Sequence, residues 1–64
     1  MKVNGEIVTL TEPVSLKEFL EKSGYSTGRI AVERNGDIVP KQTYDAITLT
    51  EADTLEIVHF VGGG

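Results

Sequence analysis

The sequence predicts a small α+β fold, in which one short helix crosses one face of a mixed sheet of four to five strands. Three observations support it: two Asn-Gly dipeptides between short apolar stretches, one segment with the start and stop signals of a helix, and a final stretch rich in β-forming residues. The chain has 64 residues, and we expect residues 1–64 to form a single domain with residues 62–64 as a flexible tail.

Two nearly identical pentapeptides, residues 4–8 and residues 35–39, mark two β-hairpins. A type I′ turn needs positive φ at both central residues, and Asn-Gly satisfies this requirement well. The strands that we expect beside the two turns are residues 2–4 with residues 6–10, and residues 29–34 with residues 37–39. Pro40 has no N–H group to donate to a ladder, so the second hairpin is expected to end there.

The helix is predicted between the two hairpins. Residues 15–18 read Ser-Leu-Lys-Glu, which matches a capping box, and Leu16, Phe19 and Leu20 then form a narrow apolar face. Gly24 supplies the left-handed residue that commonly ends a helix. A helix of about two turns is too short to be stable alone. We therefore expect it to pack on the sheet.

Three weaker signals follow Pro40. Residues 41–45 are typical of a turn or of a single helical turn, and residues 47–49 alternate as a short strand does. Residues 51–53 are polar and are expected to form a corner before the last strand.

The last strand, residues 55–61, decides the topology. Its alternation places Leu55 and Ile57 on one side and Val58 and Phe60 on the other. Because Leu55 and Ile57 need a neighbouring strand on each side to be buried under the helix, we place this strand in the centre of the sheet, beside the first strand. That arrangement is the β-grasp, or ubiquitin-like, fold.

Val58 and Phe60 are the candidate partner-binding residues, together with Val61 and with Ile7 on the neighbouring hairpin. They are predicted to lie on the side of the sheet that the helix leaves open, where an exposed apolar patch marks an interaction site. Partial burial of these side chains under a loop is the alternative that the sequence leaves open.

The formal net charge is −4, and all of it lies in residues 33–64. An acidic chain is a poor binder of nucleic acid, because phosphate contacts require clustered Lys and Arg. The charge suits a partner with a basic docking surface, and neutralising Glu56 and Asp53 is then expected to slow association. An acidic face that only keeps the protein soluble is an equally good interpretation.

The sequence offers little for catalysis, metal binding or membrane insertion. It has no cysteine, and its one histidine, His59, is more readily read as a structural residue than as a general base. Its apolar runs are far shorter than the ~20 residues of a membrane span, and residues 1–6 lack the apolar core of a signal peptide. We expect a cytoplasmic protein that is not an enzyme, binds no metal and contacts no membrane.

The run Gly62, Gly63, Gly64 contributes nothing to a packed core, because glycine has no side chain and loses much backbone freedom on folding. What it provides is a thin, flexible segment that ends in a carboxylate at Gly64 and can enter a narrow channel. A frayed terminus or an added linker is the alternative.

The whole sequence resembles the ThiS family of sulfur carriers in thiamin biosynthesis, most specifically at residues 30–41 and 61–64. The resemblance implies that an E1-like enzyme adenylates the Gly64 carboxylate with ATP and Mg²⁺. A sulfur-transfer protein would then supply sulfur, and thiazole synthase would use the resulting thiocarboxylate. Gly62 and Gly63 would give access to these active sites, and the carrier itself would bind no cofactor.

The sequence departs from the family at Tyr44, where Trp is frequent, and at residues 51–53, where Asp-Gly-Asp is frequent. We expect these departures to change surface detail only. Three rival functions remain open: a sulfur carrier for molybdopterin or cysteine synthesis, a ubiquitin-like modifier that is joined to lysines, and a plain binding module that does not need its glycines.

Overall fold

The computed structural model describes residues 1–60, which form a five-stranded mixed sheet, a two-stranded ladder and one α-helix. The strands are β1 Lys2–Val3, β2 Glu6–Ile7, β3 Val14–Ser15, β4 Ile30–Arg34, β5 Asp37–Ile38, β6 Thr48–Leu49 and β7 Thr54–His59. The helix α1 spans Leu16–Lys22, and single 3₁₀ turns occur at Thr27–Arg29 and Lys41–Thr43. The second of these turns confirms the predicted helical turn after Pro40.

The five-stranded sheet has the order β2-β1-β7-β4-β5, so the last strand lies in its centre. β7 runs parallel to β1, with Lys2 opposite Thr54, and antiparallel to β4, with Ile30 opposite His59. The predicted β-grasp topology and the central position of the last strand are therefore confirmed.

Both predicted hairpin turns are present, and the four central residues have positive φ: 51° at Asn4, 84° at Gly5, 53° at Asn35 and 90° at Gly36. The strands beside them are shorter than predicted. In the first hairpin the backbone N–H of Leu10 donates to the Glu51 carboxylate and not to the sheet. The Val8 N–H still donates to the Met1 carbonyl at 2.8 Å, and a side chain takes the place of the ladder only at Leu10.

The start of α1 follows the sequence prediction in part. Ser15 caps the helix, because its Oγ accepts a hydrogen bond of 3.0 Å from the Glu18 N–H. The Glu18 carboxylate does not complete the capping box; it contacts Lys22 Nζ at 3.3 Å, one turn along the helix.

The end of α1 is a Schellman motif centred on Gly24, whose φ is 84°. The Gly24 N–H donates to the Glu21 carbonyl at 3.1 Å, and the Tyr25 N–H donates to the Leu20 carbonyl at 2.9 Å. The predicted stop signal is confirmed, because only a residue that tolerates positive φ allows both bonds.

The predicted strand at residues 47–49 forms as β6, but its partner is β3, with Val14 opposite Leu49. Strand β3 was not predicted, because its two residues also carry the start signals of the helix. The Leu16 N–H donates to the Ile47 carbonyl at 2.9 Å, so the first turn of α1 is anchored to β6.

The core lies between α1 and the sheet. Its fully buried side chains are Leu16, Leu20, Ile30, Val32, Leu49 and Leu55. Tyr44 and Asp53 are also buried, with 4% and 5% of their surface exposed. The expectation that the departures from the family affect surface detail only is therefore wrong at Tyr44, whereas Glu51 and Ala52 are exposed. The backbone of Tyr44 is held under the helix by a bond of 2.9 Å from the Lys17 N–H, and burial raises the pKa of the Tyr44 hydroxyl.

Candidate functional site

The sheet surface that faces away from α1, here called the open face, carries the exposed apolar residues. Residues directly paired across a ladder point to the same side of a sheet. Leu55 and Ile57 are buried under α1, so Val58 and its partner Ala31 lie on the open face. Thr54 alternates with Leu55 and lies on the same side as Val58, so its partner Lys2, and Ile7 opposite Lys2, also lie on the open face. Among residues 1–60, the exposed large hydrophobic side chains and their exposed fractions are Ile7 73%, Ile38 67%, Val58 58% and Phe60 59%.

Three of these four residues were predicted from the sequence as partner-binding residues. The exposure of Ile7, Val58 and Phe60 excludes their burial under a loop formed by residues 1–60, while their role in binding stays a prediction. Ile7 lies at the sheet edge on β2, separated from β7 by β1.

Ile38 is the residue that the sequence prediction missed. It lies on β5 directly opposite Glu33, at the other edge of the open face from Ile7. Two features of the sequence could have identified Ile38 as an exposed residue of the open face. Ile38 holds the same place in the second Asn-Gly pentapeptide as Ile7 in the first, and strand alternation places it on the opposite side from Val39.

Phe60 is positioned by a backbone bond of 2.8 Å from its N–H to the Arg29 carbonyl, just beyond the end of β7. Lys41 Nζ lies 5.7 Å from the centre of the Phe60 ring, which is within the range of a cation–π contact. This end of the open face therefore combines an exposed aromatic ring with a positive charge.

His59 lies beside Phe60 in the sequence but has a different environment. Its ring stacks on Tyr25, with the ring centres 5.2 Å apart and the planes at 27°. This packing favours the structural interpretation of His59 over a role as a general base.

Asp53 was predicted to act as an exposed steering charge, and this prediction is wrong. The carboxylate is buried and accepts hydrogen bonds from the Thr50 N–H at 2.8 Å, from Asn35 Nδ2 at 3.0 Å and from Arg34 Nε at 3.2 Å. Glu56, the other proposed steering charge, is exposed on the open face.

The predicted residues of the tail, Val61, Gly62, Gly63 and Gly64, lie outside the described residues. The strand that leads to them is held on both sides. Beyond the two-residue pairing with β1, the Asn4 side chain continues the contact, since its Oδ1 accepts from the Ile57 N–H at 2.7 Å and its Nδ2 donates to the Ile57 carbonyl at 3.2 Å.

Residues 1–60 contain neither a metal-binding cluster nor a membrane-spanning helix. No group of three or more His, Cys, Asp or Glu side chains in that range is placed to hold a metal ion. No helix there combines the length and the apolar character needed to cross a bilayer.

Comparison with known proteins gave a consistent result. The model of the ThiS family matches residues 1–64. The sulfur carrier protein ThiS of Bacillus subtilis is 34% identical over 65 residues, which cover 100% of this chain and 98% of that protein. A solved structure of the thiamine biosynthesis protein ThiS from Geobacter metallireducens superposes with a TM-score of 0.82 at 30% identity, covering 98% of this chain and 96% of that one.

A further relative is much longer than this chain. The thiazole synthase of Paramagnetospirillum magneticum is 39% identical over 62 residues, which cover 97% of this chain but only 19% of that protein. The chain thus spans about a fifth of the length of this relative.

Proposed function

The chain belongs to the ThiS family, and from this membership we propose that it is a sulfur carrier that donates sulfur to the thiazole ring of thiamin. The observation that carries the proposal is the match over residues 1–64, which includes the three glycines at residues 62–64. The β-grasp topology and the exposed apolar residues around β7 support it.

The proposed chemistry takes place at the carboxylate of Gly64. A carboxylate is a poor electrophile, so it first attacks the α-phosphate of ATP, and pyrophosphate leaves to give an acyl adenylate. An E1-like enzyme with ATP and Mg²⁺ performs this step. Hydrosulfide, supplied through a sulfur-transfer protein, then attacks the acyl carbon and AMP leaves, so that Gly64 ends in a thiocarboxylate. The carrier contributes no catalytic group, and Gly62 and Gly63 allow Gly64 to enter the partner's active site.

Thiazole synthase is the proposed acceptor of the sulfur. In the thiazole synthase of Paramagnetospirillum magneticum, a segment similar to this chain makes up 19% of one longer polypeptide. Linking two domains in one chain raises their effective concentration, which is useful when one domain delivers a group to the other. We take this arrangement as support for the same partnership here.

The proposed docking surface consists of Ile7, Val58 and Phe60, with Val61 beside the tail. The first three are exposed on the open face, and β7 leads from this surface directly to the glycines. A few well-packed side chains supply most of the affinity in protein interfaces, and the exposed Phe60 ring is the strongest candidate here. Docking through them would bring Gly64 to the partner that modifies it.

Mass spectrometry tests the proposal. After incubation with the adenylating enzyme, ATP, Mg²⁺ and a sulfur source, the intact mass should change by the difference between one sulfur and one oxygen. Fragment ions should assign the change to Gly64, because the chain has no cysteine that could hold a persulfide. A modification on a lysine would instead indicate a ubiquitin-like modifier.

A variant that lacks Gly63 and Gly64 is the matched control. We expect its free energy of unfolding to stay within about 0.5 kcal/mol of the parent, as for changes outside a packed core. ATP-dependent activation should be lost completely. Full activity of the shortened chain would contradict the carrier function.

A further inference from the structure

Two carboxylates meet on the open face without a countercharge. Glu33 on β4 and Glu56 on β7 are directly opposite each other in the antiparallel ladder. Side chains in such pairs start from Cβ atoms about 4.5–5.5 Å apart, and like charges in this position destabilise a sheet. Among residues 1–60, neither carboxylate takes part in an ion pair or a side-chain hydrogen bond.

The surroundings of this acidic pair are largely apolar. Val58 follows Glu56 by two residues on β7 and therefore lies on the same face, and Ile38 is directly opposite Glu33 on β5. Both apolar side chains are mostly exposed. A surface with this pattern offers an incoming group two negative charges at its centre and apolar contacts beside them.

Among residues 1–60, no cation of the chain itself forms an ion pair with Glu33 or Glu56. Arg34, next to Glu33 in sequence, points to the other side of β4 and binds Asp53 at 3.2 Å. Lys41 lies over the Phe60 ring. Lys2, opposite Thr54, lies on the open face, but it forms no ion pair with Glu56 among the described residues. The acidic pair is therefore uncompensated within residues 1–60, and a partner protein can supply the opposite charge.

We propose that the open face binds a partner protein through one arginine side chain, which enters between Glu33 and Glu56 with its aliphatic stem against Val58 and Ile38. Arginine fits because its planar guanidinium presents five donors and can serve two carboxylates at once, and because it is less strongly hydrated than a lysine ammonium. The proposal deepens the proposed function, since the partner is taken to be a protein that acts on Gly64.

A purely protective role is the competing explanation. Acidic residues on an exposed apolar sheet face can keep the protein soluble without binding anything. Both explanations expect the fold to tolerate glutamine at either position. They differ in whether the acidic pair selects arginine.

The test is an NMR titration of the ¹⁵N-labelled chain with three short capped peptides at millimolar concentration. The peptides are leucine-arginine-leucine, the same sequence with citrulline, which keeps the shape but removes the charge, and the same sequence with lysine. We expect the arginine peptide to shift the amides of β4 and β7 around the acidic pair. The citrulline peptide should bind about tenfold more weakly, as expected for the loss of a charge-assisted hydrogen bond, and the lysine peptide should fall between them.

Variants give the second arm of the test. Glu33→Gln and Glu56→Gln should each weaken binding of the arginine peptide several-fold. Glu21→Gln on α1 removes the same charge from the opposite side of the molecule and should leave binding unchanged.

The proposal is overturned if the citrulline peptide binds as well as the arginine peptide, if the shifts map to another surface or do not occur, or if Glu21→Gln weakens binding as much as the other changes. The titration needs neither ATP nor sulfur. A negative result would therefore reject this site without affecting the mass test on Gly64, and the converse also holds.

Discussion

Asp53 joins two parts of the molecule through a single side chain. It accepts from the Thr50 N–H in its own loop, and from Asn35 and Arg34 in the second hairpin. Asn35 returns a contact to the same region, since its Oδ1 accepts from the Thr54 N–H at 2.9 Å. The start of β7 is therefore fixed to the hairpin by side chains as well as by the ladder.

Replacing Asp53→Ala should lower the free energy of unfolding by about 2 kcal/mol, because the buried partners lose their acceptor. The loss should not reach the larger values seen for fully buried ion pairs, since the Arg34 side chain keeps 34% of its surface exposed to water. Asp45→Ala, a change at an exposed position, should stay within about 0.5 kcal/mol. Urea denaturation of both variants measures the difference, and equal effects would contradict the assigned role.

The contribution of Asp53 should also depend on pH. Desolvation by burial raises the pKa of Asp53, but the hydrogen bonds from Thr50, Asn35 and Arg34, with the Arg34 charge, outweigh it and lower the pKa overall. A lowered folded-state pKa means that the stabilisation is present above the unfolded value of about 3.9 and is lost as the pH falls through the folded value.

The measurement is the difference in unfolding free energy between the parent and Asp53→Ala. This difference should be constant near neutral pH and shrink below about pH 4. The pKa of Glu51 is also lowered, by hydrogen bonds from the Met1 amino group and the Leu10 N–H, but Glu51 is present in both proteins and cancels. A difference that does not change on acidification would rule out Asp53 as its source.

At the scale of elements, the end of α1 depends on the left-handed conformation of Gly24. Gly24→Ala should destabilise the protein by about 1 kcal/mol, because an L-residue pays for positive φ even where its Cβ meets no atom. Gly28→Ala is the matched control, since its Cβ also meets nothing and its φ is not in the left-handed region. Thermal unfolding should separate the two variants, and an equal response would exclude φ as the cause.

The ladder between β4 and β7 allows a test of the acidic pair that needs no ligand. Glu33→Gln and Glu56→Gln should each stabilise the protein by about 0.2–1 kcal/mol, because each removes the same repulsion. The double variant should gain little beyond either single variant. Fully additive gains would mean that the two carboxylates do not interact, and the proposed arginine site would lose its central feature.

The elements show which sequence signals were sufficient and which were not. The turns at Gly5 and Gly36 and the stop at Gly24 were predictable, because each depends on backbone geometry that few residues adopt. The length of the first hairpin was not, because the Leu10 N–H binds the distant Glu51 carboxylate. Strand β3 was missed since a two-residue ladder carries no periodicity of its own.

For the whole molecule, the sheet separates residues needed for folding from residues available for binding. Phe60→Ala should weaken partner binding by about 1–3 kcal/mol, in the range of an interface hot spot, and should leave the melting temperature nearly unchanged because the ring is mostly exposed. Leu55→Ala, at a fully buried position of the same strand, should cost about 2–5 kcal/mol of stability.

Binding kinetics and melting curves on the same samples distinguish these outcomes. The docking surface would be wrong if Phe60→Ala bound normally, and its exposed position would be contradicted if the variant unfolded.

The two faces of the sheet were not equally predictable. The buried face followed from the alternation at Leu55 and Ile57 and from the helix pattern, because burial imposes a strict period. The open face was predicted in part, and Ile38 was missed because an exposed position imposes no such period. The prediction that Asp53 steers a partner was wrong, because net charge along a sequence does not show which carboxylates are buried.

The central position of β7 has a consequence for how the chain is made. Of the elements described, β7 is synthesised last, yet both β1 and β4 pair with it. The ladder between β1 and β7 cannot form until Thr54, the partner of Lys2, has been synthesised. Pairings between residues so distant in sequence form late in folding. On the ribosome, the core therefore closes only after the final strand has emerged. Because that same strand leads to the residues proposed to carry sulfur, an unfinished chain offers an activating enzyme neither a folded domain nor a substrate.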